Sequence, residues 1–173
     1  MPLIDYKLMK PNMLAALAVI LFLTGCSATS STAKKEEQAA RYEQTAALIE
    51  GGSYQYTVRS ASPAGGRSIQ ITSTYTFDVQ DGVYKAYLPY YGRAHSASYG
   101  GNGGVEFEGE PADLSITRDD KKQNVTVKFQ IKNKDETYEC IFVATASGNG
   151  TLTVTSSKRQ VITYYGAVAK PVE

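Results

Sequence analysis

The chain has 173 residues, 42% of them hydrophobic and 20% charged, which favours one folded domain and excludes an intrinsically disordered chain. Eighteen Lys and Arg against 17 Asp and Glu give a formal net charge of +1, so bulk charge gives no support to nucleic-acid binding. Thirteen Tyr, 15 Gly and no Trp indicate strands joined by tight turns.

Residues 1–25 have the pattern of a lipoprotein signal peptide. Two lysines precede an apolar run at 13–23, which is too short to span a bilayer as a stable helix. The sequence Leu-Thr-Gly-Cys that ends at Cys26 resembles the lipobox of bacterial lipoproteins. That resemblance implies lipid transfer to the Cys26 sulfur and cleavage before it, and a single-pass helix followed by a chance Cys is the alternative. We expect lipid on Cys26 to anchor the protein in the cell envelope, at the outer membrane.

Residues 26–33 are expected to form a flexible tether, and residues 34–51 a helix. The tether is rich in Ser, Thr and Ala, whereas the helical segment is rich in Ala, Glu, Gln and Lys. Tyr42, Ala46 and Ile49 share one helical stripe, and two glycines then end the helix. The helix either packs on the following domain or acts as a spacer from the membrane.

From residue 52 to 169 the hydrophobic periodicity changes to two. The alternation is clear at 69–79 and 125–131 and weaker at 54–58, 114–116, 152–154 and 161–165. Such alternation is typical of antiparallel strands with one buried face. Because the strands are short and evenly spaced, the sequence predicts an all-β fold: a single antiparallel β-sandwich or small β-barrel preceded by one short N-terminal helix.

Cys140 lies in one of these apolar, strand-like runs. Lipidation uses Cys26, the other cysteine, so Cys140 has no partner for an intramolecular disulfide. Since no His or basic residue near it in the sequence would stabilise a thiolate, we expect a buried structural thiol, with a reactive thiol as the alternative. One His and one such Cys cannot supply a zinc site, and no cofactor or metal is predicted.

Two irregular segments interrupt the predicted strands. Residues 59–67, with Pro-Ala-Gly-Gly at 63–66, form a candidate wide hairpin loop. Residues 88–104 contain the only His, three Tyr and five Gly, and loops of this length inside a compact domain are often functional.

The second segment carries the candidate ligand-binding residues, because Tyr and Arg side chains stack on and hydrogen-bond sugars, peptides and aromatic ligands. The candidates are Tyr90, Tyr91, Arg93, His95 and Tyr99, with Tyr164 and Tyr165 as further candidates across the sheet. The alternative is that these Tyr residues close one end of the β structure while the glycines serve turns.

Catalytic chemistry has weaker support in the sequence. His95 would be the only imidazole base for a triad, and no Gly-x-Ser-x-Gly elbow is present. Glu106, Glu108 and Glu110 alternate along one strand, which would suit calcium or a general acid–base pair. The alternative is that they are the solvent side of a strand with apolar inward residues. No catalytic residue is assigned.

Several stretches together resemble a known family. They are Gly-Arg-Ser at 66–68, Tyr-Leu-Pro-Tyr-Tyr-Gly-Arg-Ala at 87–94, Tyr-Gly-Gly at 99–101, and the segment 153–166. These residues resemble the Bacteroidetes lipoprotein family catalogued as domain of unknown function 4251, over about residues 54–168. The resemblance implies a secreted, lipid-anchored β domain of the cell envelope and brings no activity, cofactor or site residue.

The sequence therefore predicts a lipid-anchored envelope protein whose β domain binds a small molecule, a glycan or an envelope partner. A structural or assembly role through protein–protein contacts is the alternative, and a carboxylate-dependent hydrolase comes third. A closed barrel with an interior pocket lined by Tyr would favour a ligand, whereas a filled core with an uncovered strand edge would favour protein partners.

Overall fold

The computed structural model describes residues 29–93, 103–133 and 136–171. The chain divides into two compact units, residues 1–37 and 38–173, and all packing described below lies within the second. The elements are helix α1 (Thr29–Glu50) and strands β1 (Tyr54–Pro63), β2 (Ile69–Gln70), β3 (Thr76–Gln80), β4 (Val83–Leu88), β5 (Val105–Gly109), β6 (Ala112–Asp119), β7 (Asn124–Asn133), β8 (Glu136–Thr145), β9 (Asn149–Ser156) and β10 (Ile162–Ala169).

Helix α1 begins at Thr29, earlier than the sequence indicated, so residues 29–33 of the expected tether are helical. Ser and Thr are weak helix formers but are well tolerated at the start of a helix, where their hydroxyls can satisfy free N–H groups. The helix ends as expected: the Gly51 N–H donates to the carbonyl of Ala47 at 2.9 Å, and Gly52 adopts a φ of +65°. Within the described ranges, no helix is apolar enough over a sufficient length to cross a membrane.

The second half of α1 packs on the β domain. The stripe predicted from the sequence is buried, with Tyr42 at 4%, Ala46 at 0% and Ile49 at 1% exposure. Arg118 of β6 lies over the Tyr42 ring at 5.1 Å and donates to the carboxylate of Glu43 at 2.6 Å. The second half of the helix is therefore part of the domain's core, as the first of the two sequence alternatives predicted.

The strands form one antiparallel sheet in the order β5-β4-β3-β1-β10-β9-β8-β7-β6, with β2 paired to β1. The edge strands β5 and β6 are joined by only two residues, Glu110 and Pro111, so the sheet must curl until its edges approach each other. The side-chain amide of Asn133 in β7 donates to the main-chain oxygen of Glu106 in β5. The predicted all-β fold is confirmed, in the form of a curled half-barrel.

Aromatic side chains fill the concave side of the sheet. Phe77 stacks on Phe129 at a centroid distance of 5.7 Å and meets Phe142 edge to face at 5.9 Å. The buried tyrosines are Tyr42, Tyr54, Tyr56, Tyr84, Tyr138 and Tyr164. Each such ring pair stabilises the fold by about 1 kcal/mol beyond the burial of its area.

The alternation at residues 69–79 does not correspond to one continuous strand. The segment divides into β2 and β3, both paired with β1, and residues 71–75 lie between them. In β1 the register of pairing with β10 shifts between Val58 and Ser60. The same place interrupts the other side of β1, where the Val58 N–H donates to the Tyr75 carbonyl and the Arg59 carbonyl accepts from Ile71. A bulge of this kind is not encoded in hydrophobic alternation.

Cys140 lies on the inward face of β8 with 1% exposure. Burial raises the pKa of its thiol above the ordinary value, so the thiolate is disfavoured at neutral pH. The prediction of a buried structural thiol is confirmed.

Candidate functional site

The two irregular segments predicted from the sequence form the walls of one open cleft of about 430 Å³. One wall is residues 63–66, the other is residues 91–93, and Gln160 lies between them. The pairing of β1 with β10 places Pro63 opposite Ile162, and the Ala64 N–H donates to the Val161 carbonyl at 3.1 Å. The hairpin loop is thereby held against the segment that precedes β10.

The predicted site residues are not all in the cleft. Tyr91, which is 43% exposed, and Arg93, which is also exposed, line it. Tyr90 packs against the core, and its hydroxyl lies 2.9 Å from the carbonyl oxygens of both Arg93 and Gln160. His95 and Tyr99 lie outside the described residues.

The tyrosines of β10 lie outside the cleft lining. Tyr164 is fully buried, and its hydroxyl donates to the carbonyl of Pro89 at 2.9 Å. Tyr165 is 45% exposed on the other face of the strand. Tyr90 and Tyr164 therefore close one end of the sheet, as the structural alternative predicted, while Tyr91 stays available to a ligand.

A buried ion pair includes Arg159, the residue that precedes Gln160 of the cleft. Glu136 at the start of β8 is 7% exposed, and Arg159 Nε lies 3.0 Å from its Oε1. Ser156 donates to the same oxygen, and the Tyr138 hydroxyl donates to Oε2 at 3.0 Å. Burial alone would raise the pKa of Glu136, but the hydrogen bonds from Ser156, Arg159 and Tyr138 outweigh it and hold the pKa below its ordinary value.

Arg159 also contacts the main chain just before β5 and the ring of Tyr90. Its Nη1 donates to the carbonyls of Gly103 at 2.9 Å and Gly104 at 2.6 Å. Its guanidinium lies 5.3 Å from the centre of the Tyr90 ring. The next residue, Gln160, donates its N–H to the Arg93 carbonyl at 3.1 Å. These contacts fix the main chain that carries Tyr91 and Arg93.

The three carboxylates that alternate along this part of the sequence lie in different surroundings. Glu108 is exposed and pairs with Lys85 at 2.9 Å, and Glu110 lies beyond the end of β5. Glu106 is half-buried and lies between Val105 and Phe107, which are buried. The strand therefore has one buried face and one face nearer to solvent. In the part of the chain that the structure describes, no group of three or more His, Cys, Asp or Glu could hold a metal ion.

Two other surfaces stand out. A wider groove of about 820 Å³ runs between α1 and the β8–β9 turn, lined by residues that include Leu48, Ser147 and Val168. Edge strand β6 is exposed along almost its whole length, with Leu114 at 46% and Ile116 at 39% exposure. The weak alternation at 114–116 therefore marks a strand as predicted, but its apolar side chains are not buried.

Sequence reasoning did not find Gln160, Arg159 or Glu136. The hairpin loop predicted at residues 59–67 is shorter in the structure, because residues 59–63 belong to β1. Its approach to residues 91–93 depends on the pairing of β1 with β10, which are distant in the sequence. Glu136 and Arg159 are 23 residues apart, and nothing in their local patterns distinguishes them from exposed charges.

Comparisons with known proteins agree with the fold. A crystal structure of a DUF4251 family protein from Bacteroides eggerthii DSM 20697 superposes with a TM-score of 0.59 at 20% sequence identity, covering 76% of this chain and 89% of that one. At this identity the likeness shows the fold alone. No curated protein matches the sequence. The family model for the domain of unknown function DUF4251 matches residues 36–168, and the chain therefore belongs to the DUF4251 family.

Proposed function

We propose that this protein is a lipid-anchored envelope protein whose β domain binds a small molecule or glycan in the cleft between residues 63–66 and 91–93. The anchor is proposed from the lipobox that ends at Cys26, with the outer membrane as its location. The aromatic filling of the half-barrel argues against binding in the interior, so the proposed ligand lies on the outside.

The observation that carries this proposal is the convergence of the two loops around exposed Tyr91 and Arg93. A stacking ring and a guanidinium beside main-chain polar groups suit a polar ligand. Because Arg159 and Tyr90 already hold the supporting main chain, little ordering entropy would be lost on binding.

Mass spectrometry of molecules that co-purify with the membrane-extracted protein tests the proposal. We expect a bound molecule in the wild type and its loss in Tyr91→Ala and in Arg93→Ala. Tyr165→Ala is the matched control, since Tyr165 is equally exposed but does not line the cleft. Retention of the same molecule by both cleft variants would refute the cleft as the binding site.

The anchor has a separate test. Cys26→Ser, or treatment of cells with globomycin, should leave unprocessed precursor, because diacylglycerol transfer needs the thiol and the processing peptidase needs the lipid. Normal maturation of the Ser variant would remove the basis for the proposed location.

A second candidate function is docking of an envelope protein partner on β6. It is favoured by the filled core together with the uncovered edge, where Leu114 and Ile116 are exposed. Unpaired N–H and C=O groups on such an edge can accept an added strand. Ile116→Lys should abolish cross-linking to that partner and leave ligand binding in the cleft intact, whereas unchanged cross-linking would exclude β6 as the docking site.

A further inference from the structure

The three segments around the cleft contain cations and no carboxylates. Residues 60–70, 88–93 and 156–162, which contain the cleft lining, have no Asp or Glu. Arg93 lines the cleft, Arg67 directly follows wall residue Gly66, and Lys158 lies two residues before Gln160. The charged side chains on the segments that form the cleft are therefore all cationic.

Some cations of the domain are paired with carboxylates, whereas these three have no carboxylate partner among the described residues. Lys85 and Arg118 each lie within 3 Å of a carboxylate oxygen. Within the described residues, the side chains of Arg67, Arg93 and Lys158 form no ion pair or hydrogen bond.

The carboxylate that pairs with Arg159 is already neutralised. Glu136 is buried and receives a hydrogen bond from Arg159, the neighbour of cleft residue Gln160. Its charge is therefore compensated within the protein, and it leaves the charges of Arg67, Arg93 and Lys158 uncompensated. Cations beside a concave surface with low-dielectric walls focus a positive potential into it.

We propose that the cleft recognises an acidic saccharide, a sugar that carries a carboxylate or sulfate group. This inference rests on the proposed binding function and names its ligand class. The Arg93 guanidinium would bind the anionic group in a forked geometry, and Arg67, which follows wall residue Gly66 in the sequence, would add positive charge. Tyr91 would stack on the face of the sugar ring, and the main-chain groups of the glycine-rich walls would bind its hydroxyls.

The size and lining of the cleft favour a saccharide over a membrane surface. Its volume of about 430 Å³ falls within the range of small-molecule sites, about 300–1,000 Å³. A flat anionic membrane would contact the exposed cations but would not enter a cleft between two loops.

An array of acidic oligosaccharides tests the inference. It contains uronate-containing, sulfated and sialylated glycans, and each is compared with its neutral ester or desulfated form. Binding of the detergent-solubilised full chain is measured at low and high salt. We expect at least one acidic glycan to bind about tenfold more tightly than its neutral form, with affinity that falls as salt rises. Arg93→Gln and Arg67→Gln should each weaken that binding about tenfold, while Lys128→Gln, an exposed cation on β7, should not.

The other outcomes overturn the inference in distinguishable ways. Equal binding of acidic and neutral glycans that is lost in Tyr91→Ala would refute the anionic ligand but retain the proposed function. Binding of no glycan, with Arg93-dependent binding to phosphatidylglycerol vesicles, would assign these cations to a membrane surface. Binding to neither would refute both the inference and a glycan as the ligand. Equal thermal melting of wild type and variants verifies that each variant is folded.

Discussion

Glu136 and Arg159 show how single residues position the candidate site. The Glu136 carboxylate accepts hydrogen bonds from Ser156, Arg159 and Tyr138. The Nη1 of Arg159 donates to the carbonyls of Gly103 and Gly104. A buried ion pair of this kind adds little stability compared with an apolar pair, but breaking it by removing one partner leaves an uncompensated charge.

Glu136→Gln should therefore lower the free energy of unfolding by about 3 kcal/mol at neutral pH, measured by urea denaturation. Because the pKa of Glu136 is lowered in the folded state, its contribution is complete above the ordinary value of 4.5 and is lost as the pH falls below it. The variant should lack this acid-dependent loss. Glu139→Gln is the control, since Glu139 is exposed on the same strand; equal effects of the two substitutions would contradict a special role for Glu136.

Glycine is required at position 166 of β10 because β1 approaches it closely. A Cβ at this position would clash with the main-chain oxygen of Thr57 and lie 2.9 Å from its carbonyl carbon, so Gly166→Ala should destabilise the domain by about 3 kcal/mol. At Gly82 a Cβ meets no atom within 4 Å and only the φ of +79° opposes it, so Gly82→Ala should cost about 1 kcal/mol. Thermal or urea denaturation measures both, and a smaller loss at Gly166 than at Gly82 would contradict the packing described.

The local sequence was sufficient to predict some of these residues and not others. Cys140 was predicted to be buried because an apolar strand surrounds it and no base is near. Gly166 and Arg159 could not be assigned, because what constrains them is a residue more than 50 positions away: Thr57 for one, and Gly104 for the other.

At the scale of elements, α1 shows that hydrophobic periodicity in the sequence can predict which face of a helix is buried. Its buried stripe of Tyr42, Ala46 and Ile49 was predicted correctly because apolar residues at helical spacing need a surface to cover. The first residue of the helix was not predicted correctly, since Ser and Thr neither favour nor forbid a first helical turn. Hydrophobic alternation likewise predicted most strands but merged β2 with β3, because the bulge in β1 that separates them depends on pairing.

Ile49→Ala should destabilise the β domain by about 3 kcal/mol, because a fully buried side chain leaves a cavity in a shared core. Gln44→Ala, on the exposed side of the same helix, should change the free energy of unfolding by no more than about 0.5 kcal/mol. Chemical denaturation followed by tyrosine fluorescence measures both. A negligible effect of Ile49→Ala would indicate that the helix is a spacer and not part of the core.

At the scale of the whole molecule, antiparallel β architecture was predictable but its closure was not. Strand count and alternation are the same for a sandwich and a barrel. The short connection through Glu110 and Pro111 makes the two edges approach each other, and the aromatic rings then fill the concave side. The cleft depends on the strand order, because the pairing of β1 with β10 brings Pro63 beside the segment that contains Gln160.

The measurement that most directly tests the cleft as the binding site is hydrogen–deuterium exchange of the membrane-extracted protein, with its co-purified ligand and after the ligand has been removed. We predict that the ligand slows amide exchange at residues 64–66 and 91–93 and leaves residues 112–119 of β6 unchanged. Slower exchange confined to β6, with the two loops unaffected, would contradict this account and assign binding to the strand edge.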